Sequence, residues 1–408
     1  MDELILKNVR VWGKGDAVDV IVRDGRIANV IPPSPLSKGG KSTDEDFAGR
    51  VLLPGFVESH CHLDKTMSLG SNGLENTSGT LLEAVERWYP SKIKRDKEDF
   101  KDRARQGLNQ AIAKGTTALR SHIDMDSSKG LEVLEVMQEL KEEFRNKIFL
   151  ELVALGMPGT SEGDALMTEA LENGIDIVGG CPHITPDPVA CMKSALDLAE
   201  RFGKHVDLHM DEDENPAVLD LKDLAQMVRA RGLQGRVTAD HCCSLSVQPK
   251  HVQEKVIAQV AEANINIISL PAVNLMLQGH TEPMTRGLVP IKKLLEQNVT
   301  VAVGSDNVRD VFQPMGNYDL LWQANLAIHA AHLTSPAQRR TALDLITTQP
   351  AKILGLQHYG LDVGCQADMV ILEAYDVETA FAMMAPRLRV YKAGRLVYRQ
   401  EIKEEHFS

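Results

Sequence analysis

One unit recurs through the middle of this chain: an apolar run, an amphipathic helical stretch, then a junction containing Gly or Asn. The runs are VLLPGFVESH, TTALRSHIDM, IFLELVALG, IDIVGGCPH, HVDLHMDE, RVTADHCC, INIISLPAVN and VTVAVGSDN. The helical stretches between them include 131–146, 188–202, 219–231 and 250–263. Parallel strands need a crossover, usually a helix, so eight strands alternating with helices predict a (β/α)8 TIM barrel. A length of 408 residues suits one such barrel plus an accessory domain.

Both ends of the chain are β-rich. LILKNVRVW and AVDVIVRDGRIANVI open it, with Asp24-Gly25 as a hairpin signal, and ADMVILEA and LRVYKAGRLVYRQ close it. PPSPLSKGGKSTDED reads as a loop. These segments predict a small β-sandwich domain built from both termini, residues 1–54 plus 359–408. The catalytic barrel then occupies 55–358.

Polar side chains gather where the runs end. His60 and His62 close the first, His122 and Asp124 the second, and His183 the fourth. His209 and Glu212 close the fifth, His241 the sixth and Asp306 the eighth. His60 and His62, in FVESHCHLDKT, stand at i and i+2, so they share one face of a strand end. All strand C-terminal ends of such a barrel surround one mouth, where active sites lie. His60, His62, His209, His241 and Asp306 therefore converge as groups that suit zinc or ferrous iron. No lysine closes run four or five to bridge a second ion as a carbamate, so one ion per chain is expected. Cys61 alternates away from the two histidines and is expected to pack behind the strand, as is at least one of Cys242 and Cys243.

The chain resembles the amidohydrolase superfamily, and within it the cytosine deaminase-like branch. The resemblance rests on PGFVESHCHLDKT, SGTLLEAVERW, RSHIDMD, DLHMDE, RVTADH, NLMLQGH and GSDNVRDVFQPMGNYDLL. DNVRD also resembles N-isopropylammelide amidohydrolases, which remove an alkylamine from a triazine ring. The resemblance implies His60, His62, His209 and Asp306 as metal ligands, Glu212 as proton shuttle, and His241 beside the metal at the reacting centre. The implied reaction is hydrolytic deamination of an aminopyrimidine, pterin or triazine-type ring. A metal lowers the pKa of its water from ~15.7 toward ~7, and the hydroxide would attack the amino-bearing ring carbon. Asp306 would take the proton from the water, and Glu212 would protonate the adjacent ring nitrogen. Release of a substituted amine, or opening of a cyclic amide, uses the same parts. A catalytically inactive barrel scaffold would be expected to have lost ligands.

Two positions depart from the cytosine deaminase pattern. Those enzymes carry a glutamine after the third strand that reads the pyrimidine's amide edge. Here Met157 falls at or beside that position, and a thioether donates no hydrogen bond. Asn307 replaces the acid that follows the metal aspartate. Gln278 is retained. Met157, Gln278, Asn307 and His183 are the candidate substrate contacts, and cytosine itself is expected to be a poor substrate.

A net charge of -12 argues against a nucleic-acid partner, because phosphate binding needs a basic face. No apolar run approaches the ~20 residues that span a bilayer. MDELILKNVRVW reads as a strand and not a signal peptide. The six scattered cysteines make no disulfide framework, which favours a reducing cytoplasm. The partners expected are a small heterocyclic substrate and further copies of the chain in a homo-oligomer, with no nucleic acid and no membrane.

Overall fold

The computed structural model describes residues 3–33 and 44–403. The chain opens with β1 (Glu3–Val11), β2 (Val18–Arg23), β3 (Arg26–Ile31), β4 (Asp44–Asp46) and β5 (Val51–Pro54). The barrel follows as β6 (Phe56–Cys61), β7 (Thr116–Asp124), β8 (Phe149–Leu155), β9 (Ile177–Gly180), β10 (Val206–Met210), β11 (Val237–His241), β12 (Asn266–Ser269) and β13 (Val301–Val303). The end of the chain supplies β14 (Met369–Leu372), β15 (Arg387–Lys392) and β16 (Arg395–Arg399). Of the segment read as a loop, residues 34–43 lie outside the described residues. Its last three residues are strand β4, which pairs in parallel with β1.

β6 to β13 lie side by side in chain order, every pair parallel, with helices between them. The last strand returns to the first. A bridge joins Cys61 to Asp306, and the Asp306 N–H donates to the His60 carbonyl at 2.8 Å. The seam is completed by a side chain. Glu58 Oε1 accepts from Ser305 N at 2.9 Å and from His60 N at 3.2 Å. A fully buried carboxylate thus stands in for ladder hydrogen bonds, and burial pushes its pKa up to about 7. Gly304 leaves room for it, since a Cβ there would meet Glu58 Oε1 and the His60 carbonyl, each at 2.9 Å.

The terminal strands form one sheet ordered β16-β15-β14-β5-β1-β2-β3, with β4 beside β1. At the hairpin Asp24-Gly25 both residues have positive φ, 50° and 76°, which a two-residue turn between twisted strands requires. β5 and β14 are buried on both faces, and the two-residue period divides their side chains between two cores. Leu53, Val370 and Leu372 pack on the barrel. Leu52, Met369 and Ile371 join Leu6, Val9, Val20 and Ile27 in a core of the terminal sheet's own. This sheet lies against the strand-start end of the barrel. Tyr359 donates to the Gly55 carbonyl at 2.7 Å, and Arg387 Nε to the Lys114 carbonyl at 3.0 Å. The opposite end is left open for the site.

Two expected runs divide differently in three dimensions. VLLPGFVESH is two strands in two sheets, switched at Gly55, where a Cβ would lie 2.3 Å from Thr117. INIISLPAVN ends as a strand at Ser269, and Pro271 opens the helix Pro271–Leu277. Proline is preorganised for the first turn of a helix, where its missing N–H costs nothing.

Candidate active site

Three imidazoles and one carboxylate meet at the open mouth. His60 Nε2 and His209 Nε2 each lie 3.3 Å from His62 Nε2. Asp306 Oδ1 lies 3.1 Å from His62 Nε2 and 3.5 Å from His60 Nε2. All four residues are buried. Nitrogens about 2.0–2.1 Å from a tetrahedral zinc are separated by edges of about 3.3–3.4 Å, so these spacings fit one ion. The donor chemistry fits as well. Neither oxygen of Asp306 has a well-formed hydrogen bond although both are buried, which leaves the carboxylate waiting for a cation.

The electrostatics of His62, His209 and Asp306 agree with that fit, whereas at His60 burial is outweighed by Asp240 and Asp306, which raise the ring well above the ordinary imidazole range. Burial holds His209 well below the ordinary imidazole range, and burial with the Lys65 charge holds His62 below it, so both lone pairs are free. Burial opposes ionisation of Asp306. The close approach of the His60 and His62 rings overcomes it and holds the carboxyl well below its usual range.

Glu212 and His241 stand beside this cluster. His241 Nδ1 lies 3.3 Å from Glu212 Oε1, and His241 Nε2 lies 3.9 Å from Asp306 Oδ2. Burial, then the charge of Asp306, pushes the Glu212 carboxyl well above its ordinary pKa. It is therefore suited to carry a proton. His241 is the last residue of β11, and its φ of 61° breaks the strand alternation. That turn lets Asp240 and His241, neighbours in sequence, both face the site.

A cavity of about 310 Å³ opens above these groups. The matching family model is described as "Amidohydrolase family" and covers residues 91–398. The chain belongs to the amidohydrolase family. A pterin deaminase from Rhizobium rhizogenes is 33% identical over 374 residues, 87% of this chain and 82% of the relative. An N-isopropylammelide isopropyl amidohydrolase from a Pseudomonas species is 26% identical, covering 98% of both chains. The crystal structure of 5-methylcytosine deaminase from Klebsiella pneumoniae, liganded with 5-fluorocytosine, superposes with a TM-score of 0.93 at 29% identity over 99% of both chains.

Three of the four expected substrate contacts line this amidohydrolase-family cavity. Met157 lies in the loop after β8 and is 40% exposed. His183 lies in the turn after β9, with its Nδ1 donating to the His209 carbonyl at 3.2 Å. Asn307 is buried and donates to Asp310 Oδ2 at 2.7 Å. Gln278 is not on the cavity wall. Its amide donates to the Glu212 carbonyl at 3.3 Å, so it braces the loop that carries Glu212.

Several site residues were not foreseen. Leu81, Val85 and Trp88 present one face of the helix Leu81–Ile93 to the cavity. Thr80 starts that helix by accepting from Glu83 N at 3.3 Å. Lys65 and Trp88 both donate to Asp124, at 2.6 and 2.8 Å. The Asn274 amide donates to His241 Nδ1 at 3.0 Å. Beneath this upper group, His60, His122, His209 and Asp240 form a second close group. The ring atoms of His60 and His209 nearest Asp240 are their Nδ1 atoms. An ion there as well would turn both rings into imidazolates bridging two cations, so this lower group is better suited to hydrogen bonding. Cys61, Cys242 and Cys243 are buried in the protein and have free thiols.

Proposed function

We propose that the chain is a metal-dependent hydrolytic deaminase of a nitrogen heterocycle, an aminopyrimidine, pterin or triazine-type ring. The observation that carries this reading is the meeting of His60, His62, His209 and Asp306 with Glu212 and His241 under one cavity. Those four residues would hold one divalent ion, zinc or iron. When bound, the ion supplies a water acidified from ~15.7 toward ~7, ready for attack at neutral pH.

The chain's own groups divide the remaining work. Asp306 offers a carboxylate held in its ionised form, which accepts the proton of the attacking water. Glu212, held protonated by burial, donates to the ring nitrogen beside the carbon under attack and so lets that carbon become tetrahedral. His241 accepts from Asn274 at Nδ1 and presents Nε2–H toward the developing oxygen. Leu81, Val85, Trp88 and Phe312 give the ring an apolar wall and keep bulk water back. Release of a substituted amine uses the same groups. The N-isopropylammelide relative, matched over nearly its whole length, keeps that reading as the second one. Six free thiols accord with a reducing cytoplasm.

The test is Glu212→Gln. It keeps a hydrogen-bonding group of the same size and removes the proton. Metal content should stay at the wild-type level while kcat falls by ~10²–10⁴. A variant that keeps its activity would remove Glu212 from the mechanism.

A further inference from the structure

We propose that Asp240 is a positioning residue for the ion: it fixes His60 so that Nε2, and not Nδ1, presents its lone pair to the metal. The inference rests on the reading of His60 as a ligand. His60 Nδ1 donates to Asp240 Oδ2 at 2.9 Å, and both side chains are fully buried. A carboxylate oxygen accepts in this hydrogen bond, so the ring nitrogen facing it, Nδ1, carries the proton. Nε2 is then left with its lone pair, aimed at the point shared with His62 and Asp306. A carboxylate behind an imidazole ligand also makes that ligand a stronger donor.

The surroundings support this role. The His122 ring lies against the His60 ring, with centroids 4.0 Å apart and planes 30° apart, which restricts rotation. Asp240 Oδ2 is the hub of the layer, 3.7 Å from His122 Nε2 and 3.8 Å from His209 Nδ1. The buried Arg120 is engaged elsewhere: its Nη1 pairs with Asp207 at 2.5 Å and its Nε with Glu151 at 2.7 Å. Asp240 Oδ1 is buried without a hydrogen bond among the described residues. Among the described residues, His60 Nδ1 is thus the one well-formed hydrogen-bond partner of the Asp240 carboxylate.

The experiment measures metal affinity by chelator competition for wild type, Asp240→Asn, Asp240→Ala and His60→Ala, with circular dichroism of each metal-free protein. Loss of such a supporting carboxylate costs ~10–100-fold in metal affinity, the range expected for Asp240→Ala. Asn keeps an acceptor oxygen but loses the charge, so Asp240→Asn should fall between Ala and wild type. A purely structural link between β11 and β6 would lower the thermal midpoint but leave the affinity of the folded variant within about twofold of wild type, well short of that range, and this would overturn the proposal. Should Asp240→Ala not fold, Asp240→Asn decides by the same criterion. If His60→Ala loses the ion while both Asp240 variants keep it, only the role of Asp240 fails. If His60→Ala keeps its ion, the metal reading itself fails.

Discussion

Met157 lines the cavity with a polarisable, non-donating surface, and we propose that it stands at or beside the place where a cytosine reader would offer an amide. A site built to hydrogen-bond a substrate group discriminates by up to ~10⁴–10⁵, so losing the reader should show in kcat/KM. Cytosine should be turned over poorly beside a ring without that amide edge. Met157→Gln should raise kcat/KM for cytosine by about tenfold, the value of one restored hydrogen bond. An unchanged cytosine rate would place Met157 outside substrate contact. Residues of this kind are legible because they close an apolar run: His60, His62, His209 and Asp306 each do so and meet in space. Asp240 was hidden for a physical reason. Strand alternation sends residues i and i+1 to opposite faces, so His241 facing the mouth implies that Asp240 does not. Only the left-handed backbone at His241 reconciles the two. Gln278 has the right residue type for a substrate contact, but its amide is taken up by the backbone of the Glu212 loop.

Strands were legible as elements because eight buried runs carry the same punctuation. Their limits were less so, because pairing partners are not written in a run. Val51–Pro54 and Phe56–Cys61 are continuous in sequence and belong to different sheets. The seam between β6 and β13 was not visible at all, since it depends on Glu58 reaching Ser305 across 247 positions. That seam carries both His60 and Asp306, so its packing should control the proposed metal site. A methyl group at Gly304 would press on the His60 carbonyl and on Glu58, neither of which can swing freely. Gly304→Ala should lower stability to chemical denaturation by ~1–3 kcal/mol, the usual cost of overpacking, and should weaken metal retention. Wild-type stability and metal content in this variant would show that the seam relaxes without disturbing the ligands.

For the molecule as a whole, we propose that residues 1–54 and 359–408 fold as one unit against the closed end of the barrel. β14 separates β5 from β15, and its removal would bare Leu52 and Leu53, both completely buried. A chain ending near Leu356 should therefore be insoluble, and a soluble, active truncation would contradict the proposal. The same architecture keeps the mouth free, so chemistry and packing occupy opposite ends of one barrel. The measurement that bears most directly on the proposed activity is ammonia release from a panel of aminopyrimidines, pterins and triazines. It is made on the metal-loaded protein, after chelation, and after return of one equivalent of zinc or ferrous iron. Ammonia should appear in step with loss of at least one ring substrate, disappear on chelation, and return with the single equivalent. A folded, metal-loaded protein that releases ammonia from none of them, or a chelated protein that keeps its rate, would contradict the account.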